Sequence, residues 1–364
     1  MNEYNSLSEQ NNCIDLVKLF MSICVVAIHT HPLEYFSDGI LLMVYNTLLS
    51  LAVPYFFVAS GFLLFSGIVG TFDDKRNLLR IKKYGYKLVK SYLIWSLIFL
   101  PIAVYGYWYE REEPMRAIFF YARNFIFQGE HFYSWQLWYL LAAIIAVGLI
   151  WMLMRTIKNN FILWFLIAII LFFVAHYMDY LNAKAESLSG ILKWIEIIFE
   201  KTFRRGRMFS GCYLMIFGIL IANLKTIIYK LPLSIWSICM SLAFIVATMT
   251  NSSIALLVTI IALFIVTQGI KIGHNQKIFR FFRKTSMVIY YSHMLFFFLW
   301  SLFCKMNGQY GLTAFLITLI CSLMLAGLVN TRLVCSLKIT RTLFGAPVDL
   351  LRMKKLGLTQ SKGV

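Results

Sequence analysis

Long apolar runs separated by short polar stretches set the pattern of this chain. Ten of them approach or reach the roughly 20 residues that an α-helix needs to cross a bilayer core. They fall at 14–31, 40–65, 88–107, 135–154, 161–177, 208–224, 233–249, 254–270, 286–303 and 312–329. The pattern predicts an all-α, polytopic integral membrane protein with about ten transmembrane helices. Two connections are long, 108–134 and 178–207. The second contains LSGILKWIEIIFEKTF, whose apolar residues recur at helical spacing, so an amphipathic helix lying at the surface is expected there. The expected organisation is a segment at 1–13, a membrane domain at 14–334 and a short basic tail at 335–364, solvated or lipid-facing.

Composition strengthens this reading. The 364 residues are 60% hydrophobic, 17% aromatic and only 14% charged, against about 25% charged residues in an average soluble protein. A net charge of +18 calls for a membrane reading before a nucleic-acid one. No segment reads as a DNA-reading basic helix or an RNA-stacking platform, so no nucleic-acid partner is expected.

Charge also predicts orientation. With the N-terminus inside, the inner segments hold 23 of the 34 Lys and Arg residues, including DDKRNLLRIKKYGYKLVK and KIGHNQKIFRFFRK. Both termini are therefore expected in the cytoplasm. The first segment is polar and slightly acidic, and no small-residue cleavage site follows the first apolar run, which reads as a retained span. The seven cysteines lie almost entirely inside apolar runs, with no CxxC and no His/Cys ligand spacing. Neither a disulfide framework nor a metal site is expected.

Polar groups inside these runs are the candidates for chemistry, because ionisable residues in a membrane are costly. Lys18 and His29 share the first span. Eleven residues return to within about 20° of the same helical face, about 16 Å further along. The structural alternatives are a snorkelling Lys18 or a Lys18–Asp15 pair, and an interfacial His29. In the second span, LAVPYFFVASGFLLFSG, Pro54 should kink the helix, and Ser60-Gly61 is chiefly a packing device. Trp135, Trp138 and Tyr139 open the fourth span, as an aromatic belt or as part of a site. Arg204, Arg205 and Arg207 run against the positive-inside bias and suit an anionic or hydrogen-bond-rich ligand, or outer-leaflet phosphates. Ser286, Tyr290 and His293 share one face of the ninth span.

Taken in order, these segments resemble the membrane acyltransferase-3 family. The family's first helix carries an Arg, ten intervening residues and a His; here Lys18 and His29 keep the spacing, with lysine in the arginine's place. PYFFVASGF at 54–62, LWYL at 137–140, the arginine-led RxxxFxG at 205–211 and SxxxYxxH at 286–293 also recur. The resemblance spans nearly the whole chain and implies a membrane-bound O-acyltransferase in the cell membrane, in particular a bacterial plasma membrane. The implied donor is cytoplasmic acyl-CoA, commonly acetyl-CoA, with no metal. The implied acceptor is an extracytoplasmic hydroxyl or amine, on a cell-wall glycan, capsule, lipid-linked sugar, antibiotic or amino acid. The resemblance assigns catalysis to His29 and donor handling to Lys18; by the residues' own chemistry and placement, Ser60 is expected to join Lys18 in donor binding, and Arg205, Trp138, Tyr139, Tyr290 and His293 to bind substrate. His29 serves as general base or as acyl-carrying nucleophile.

VVAIHT, AVPYFF and LWYLL also resemble the membrane half of vancomycin-resistance serine racemases. Those proteins add a cytoplasmic pyridoxal-phosphate domain, which is not expected in the roughly thirty residues after the last span of this chain. The alternative function is a membrane transporter or binding protein for a small polar or amino-acid substrate. Transporters often show two related halves, and no such repeat stands out here.

Overall fold

The computed structural model describes residues 12–344 except 38, 69, 205, 274 and 275. It is helical, with no strand among the described residues. The helices are α1 (Asn12–Thr30), α2 (Gly39–Ser50), α3 (Ala52–Phe65), α4 (Lys75–Tyr109), α5 (Pro114–Arg123), α6 (Leu137–Thr156), α7 (Phe161–Ala183), α8 (Gly190–Phe203) and α9 (Arg207–Ile228). Then follow α10 (Leu233–Thr250), α11 (Ser253–Gly269), α12 (Gln276–Phe303), α13 (Leu312–Asn330), α14 (Arg332–Ser336) and α15 (Lys338–Phe344). Among the described residues nine segments are long and apolar enough to cross a membrane, α2 and α3 counting together, and α11 is a shorter apolar tenth. The protein is a multi-pass membrane protein.

Near one end of the bundle Asn12 donates to the carbonyls of Ile272 and Gly273, and Lys158 pairs with Asp73 at 3.2 Å. His29 lies toward the other end, where the Gly311 N–H donates to the Thr30 carbonyl at 2.8 Å. At the centre α9 packs against α3, α6 and α7, and α1 packs against α12. Small residues set the closest approach. A side chain on Gly61 would run into the Met215 backbone of α9, and one on Gly218 into the Val58 carbonyl of α3. The Ser60-Gly61 step is thus a backbone contact, as its residue types suggest.

The second span breaks one turn before Pro54, where its ring acts. Helix α2 ends at Ser50 and α3 restarts at Ala52. A proline ring clashes with the carbonyl four residues earlier, which is that of Ser50. Pro54 itself therefore sits comfortably in the first turn of α3.

Two helices run much further than their apolar cores. Helix α4 starts at Lys75, capped by the Asp74 carboxylate on the Arg76 N–H at 2.8 Å. Its 35 residues make about 52 Å, well beyond a hydrocarbon core of about 30 Å. Helix α12 starts at Gln276, ten residues before its apolar core. Both extensions belong to stretches that charge alone marks as connections.

Of the tail, the start is helical and touches the bundle, and 345–364 lie outside the described residues. Helix α15 packs back on α4 and α12. Phe344 is buried, its ring 5.7 Å from Trp95 and 6.3 Å from Tyr291, and the Trp95 indole donates to the Leu343 carbonyl.

Candidate active site

The His29 imidazole stacks on that of His293, with centroids 5.3 Å apart and planes at 28°. Trp135 stands 5.8 Å from the same ring. His293 is fully buried, and its Nδ1–H donates to the Ile289 carbonyl one turn back at 2.8 Å. That bond fixes the tautomer, so Nε2 of the neutral ring carries the lone pair. Nε2 has no partner among the described residues.

The shared face of Ser286, Tyr290 and His293 points into the bundle as its spacing predicts. Ser286 donates to the Lys18 carbonyl at 3.0 Å, and Tyr290 to the Gln136 carbonyl at 2.8 Å. These bonds lock α12 to α1 and to the start of α6. Tyr139 shares a hydrogen bond with Ser60 at 3.1 Å, and its ring packs on Phe57 and edge-on to Tyr290.

A cavity of about 750 Å³ runs through this set. Its wall includes His29, Gln136, Trp138 and Tyr139 toward one end, Lys18, Ser60 and Tyr290 between, and Lys277, Arg280 and Lys284 at the basic end. A second cavity of about 750 Å³ shares Lys18 and Ser60 and opens past Arg76, Arg80, Lys83 and Lys87 of α4. The helical extensions of α4 and α12 thus supply both basic walls. Lys18 is half-buried at the junction. It does not take Asp15 as an ion-pair partner: that carboxylate is held at two points by Arg283 of α12, at 2.9 and 2.6 Å.

Six of the expected site residues, Lys18, His29, Ser60, Trp138, Tyr139 and Tyr290, therefore line one cavity, and His293 stacks behind His29. Arg205 lies outside the described residues. Trp138 and Tyr139 line the interior cavity rather than forming only an aromatic belt.

Sequence patterns did not single out Glu130 and Gln136. A π-helical turn at Asn124–Gln128 ends at Gly129, φ +71°, and delivers Glu130 into the bundle. Glu130 is only 3% exposed and holds two arginines: Arg204, which ends α8 at φ +45°, and Arg207, at 2.8 Å. The Arg207 guanidinium also lies 5.3 Å from the Trp138 ring centroid. The available signal was that Glu130 is the sole carboxylate between 114 and 178. Beside it His131 is buried and stacked on Tyr121 at 4.2 Å, and burial holds its imidazole down to about 4. No group of three or more His, Cys, Asp or Glu side chains suited to a metal occurs among the described residues.

The acyltransferase-3 family model, an acyltransferase domain, matches residues 11–331. The chain belongs to this family. It is similar to two amino-acid racemases of Enterococcus faecalis. One is 29% identical over 216 residues, covering 58% of this chain and 28% of the relative; the other is 31% identical over 151 residues, covering 42% and 20%. A serine/alanine racemase of Enterococcus gallinarum is 31% identical over 99 residues, 27% of this chain and 14% of the relative. The matched stretches span less than a third of these relatives. No solved structure matches the chain significantly.

Proposed function

We propose that this protein transfers an acyl group, commonly acetyl, from cytoplasmic acyl-CoA to a hydroxyl of an extracytoplasmic acceptor such as a cell-surface glycan. The observation that carries this reading is the single cavity with Lys277, Arg280 and Lys284 at one end and His29 at the other. A polyanionic donor suits such a basic entrance. Its thin pantetheine arm suits a passage about 16 Å long from the level of Lys18 to that of His29. Lys18 offers a positive charge to the donor partway along, and Ser60, bonded to Tyr139, shapes the passage beside it. The aromatic end, with Trp138, Tyr139 and Tyr290, suits a sugar or polyol.

His29 acts as the general base. No described group hydrogen-bonds its ring, which leaves it free for the substrate, and stacking on His293 fixes its orientation. The acceptor hydroxyl oxygen attacks the thioester carbonyl carbon while His29 takes the hydroxyl proton. The C–S bond then breaks, and the CoA thiolate leaves with the proton from His29. The acyl group crosses while CoA stays on its own side. The bilayer itself keeps the two substrates apart.

A second reading, a transporter or binding protein for a small polar or amino-acid substrate, draws on the racemase names of the Enterococcus relatives. Thiol release from acetyl-CoA separates the two. Purified protein in detergent, given acetyl-CoA with water and an added polyol as acceptor hydroxyls, should release CoA thiol, and His29→Ala should not. Absence of thiol release by the unaltered protein with every acyl-CoA tried would favour the second reading.

A further inference from the structure

Gln136 is 2% exposed, lines the cavity next to Trp138 and Tyr139, and has neither amide atom paired among the described residues. A buried, unpaired amide costs free energy that a folded chain rarely leaves unspent. Its backbone is held rigidly: the Gln136 carbonyl receives the Tyr290 hydroxyl at 2.8 Å, and Gln136 occupies the N-cap of α6. Its neighbour Trp135 stands against the His29 ring. The other buried hydroxyls nearby are already committed, Tyr139 with Ser60 and Tyr290 with the Gln136 carbonyl. His293 offers a lone pair rather than a proton. The indoles of Trp135 and Trp138 are only half-buried, so among the described residues the fully buried N–H donor without a partner beside this part of the cavity is the Gln136 amide.

We propose that the Gln136 side-chain amide donates to the thioester carbonyl oxygen as that oxygen becomes an anion. This rests on the acyl-transfer reading above. As the acceptor oxygen bonds to the carbonyl carbon, the carbonyl electron pair moves onto oxygen and is held by the amide N–H; His29 has the hydroxyl proton. The electron pair then returns, the C–S bond breaks and the thiolate takes the proton from His29. A preorganised donor aimed at such an oxyanion is typically worth about 10²–10³-fold in kcat.

The test is Gln136→Leu, close in volume and without polar atoms, with Gln136→Asn as the companion that keeps an amide on a shorter arm. Acetyl-CoA thiol release and thermal unfolding are measured on the same purified samples. The expected result is a fall in kcat of about 100-fold, a KM for acetyl-CoA changed only a few-fold, and an unfolding midpoint equal to or above that of the unaltered protein. Gln136→Asn should lose less in kcat than Gln136→Leu. A structural glutamine would give the opposite signature, with the midpoint and activity falling together, or with Gln136→Leu failing to accumulate. That outcome, normal turnover by Gln136→Leu, or a rise in acceptor KM alone would overturn the assignment. Absence of thiol release by the unaltered protein would instead overturn the acyl-transfer reading itself.

Discussion

His29 and His293 lie ring against ring, 5.3 Å between centroids, although one is on the first long helix and the other on the last but one. The two imidazoles have different surroundings. His29 is half-buried and faces the cavity, whereas His293 is fully buried and anchored to its own helix. The outcomes of truncating them should differ. His29→Ala should keep a folded, extractable protein while losing about 10²–10⁴-fold in acyl transfer. His293→Ala should lower both activity and yield, because it opens a hole in packed interior. Measuring turnover per monodisperse molecule, beside the yield after detergent extraction, checks both. Equal yield and full turnover by His293→Ala would remove it from the site.

Lys18 should act through its charge. Lys18→Arg should retain much of the activity, and Lys18→Ala should raise the KM for acetyl-CoA by about ten-fold or more, the scale of one charge-assisted contact. If Lys18→Ala kept the donor KM, the residue would be a snorkelling anchor. Steady-state kinetics with varied acetyl-CoA decides this.

His131 predicts an acid limit to stability. Burial holds its folded pKa to about 4, against about 6.5 in an unfolded chain. As pH falls below about 6.5 the unfolded chain takes the proton first, so stability drops between about 6.5 and 4 and is fully present above that window. The contribution amounts to roughly 3 kcal/mol at most. Thermal unfolding of detergent-solubilised His131→Phe at pH 7 and pH 5 should show a smaller drop than the unaltered protein. The same drop in both would assign the acid sensitivity elsewhere.

Gly61→Ala should be poorly tolerated, because the new methyl meets the Met215 backbone, which cannot swing aside. The cost of such overpacking is about 1–3 kcal/mol. Gly148→Ala is the control, since nothing lies within 4 Å of a side chain there. Size-exclusion profiles after extraction should separate the two, and matching profiles would contradict the close α3–α9 approach.

Much of this architecture is legible in the sequence. The apolar runs locate the long helices because hydrocarbon demands continuous apolar surface and internally satisfied backbone. The i, i+4, i+7 spacing of Ser286, Tyr290 and His293 gives their common inward face. What stays hidden depends on tertiary contact. The charged starts of α4 and α12 look like loops because hydropathy measures lipid exposure rather than helicity. The partner of Asp15 is Arg283, 268 positions away, and no local pattern favours it over Lys18 one turn along. Gln136 gives no sequence signal at all, since its significance lies in lacking a partner once the bundle has formed.

The central claim is that an acyl group passes from one face of the membrane to the other at His29. Sealed inside-out vesicles from cells making the protein, given radiolabelled acetyl-CoA on their outer, cytoplasmic surface, test it most directly. Label should accumulate on envelope glycan inside the vesicles while CoA remains outside, and vesicles carrying His29→Ala should stay unlabelled. Unlabelled glycan in both, or equal labelling with His29→Ala, would contradict the account.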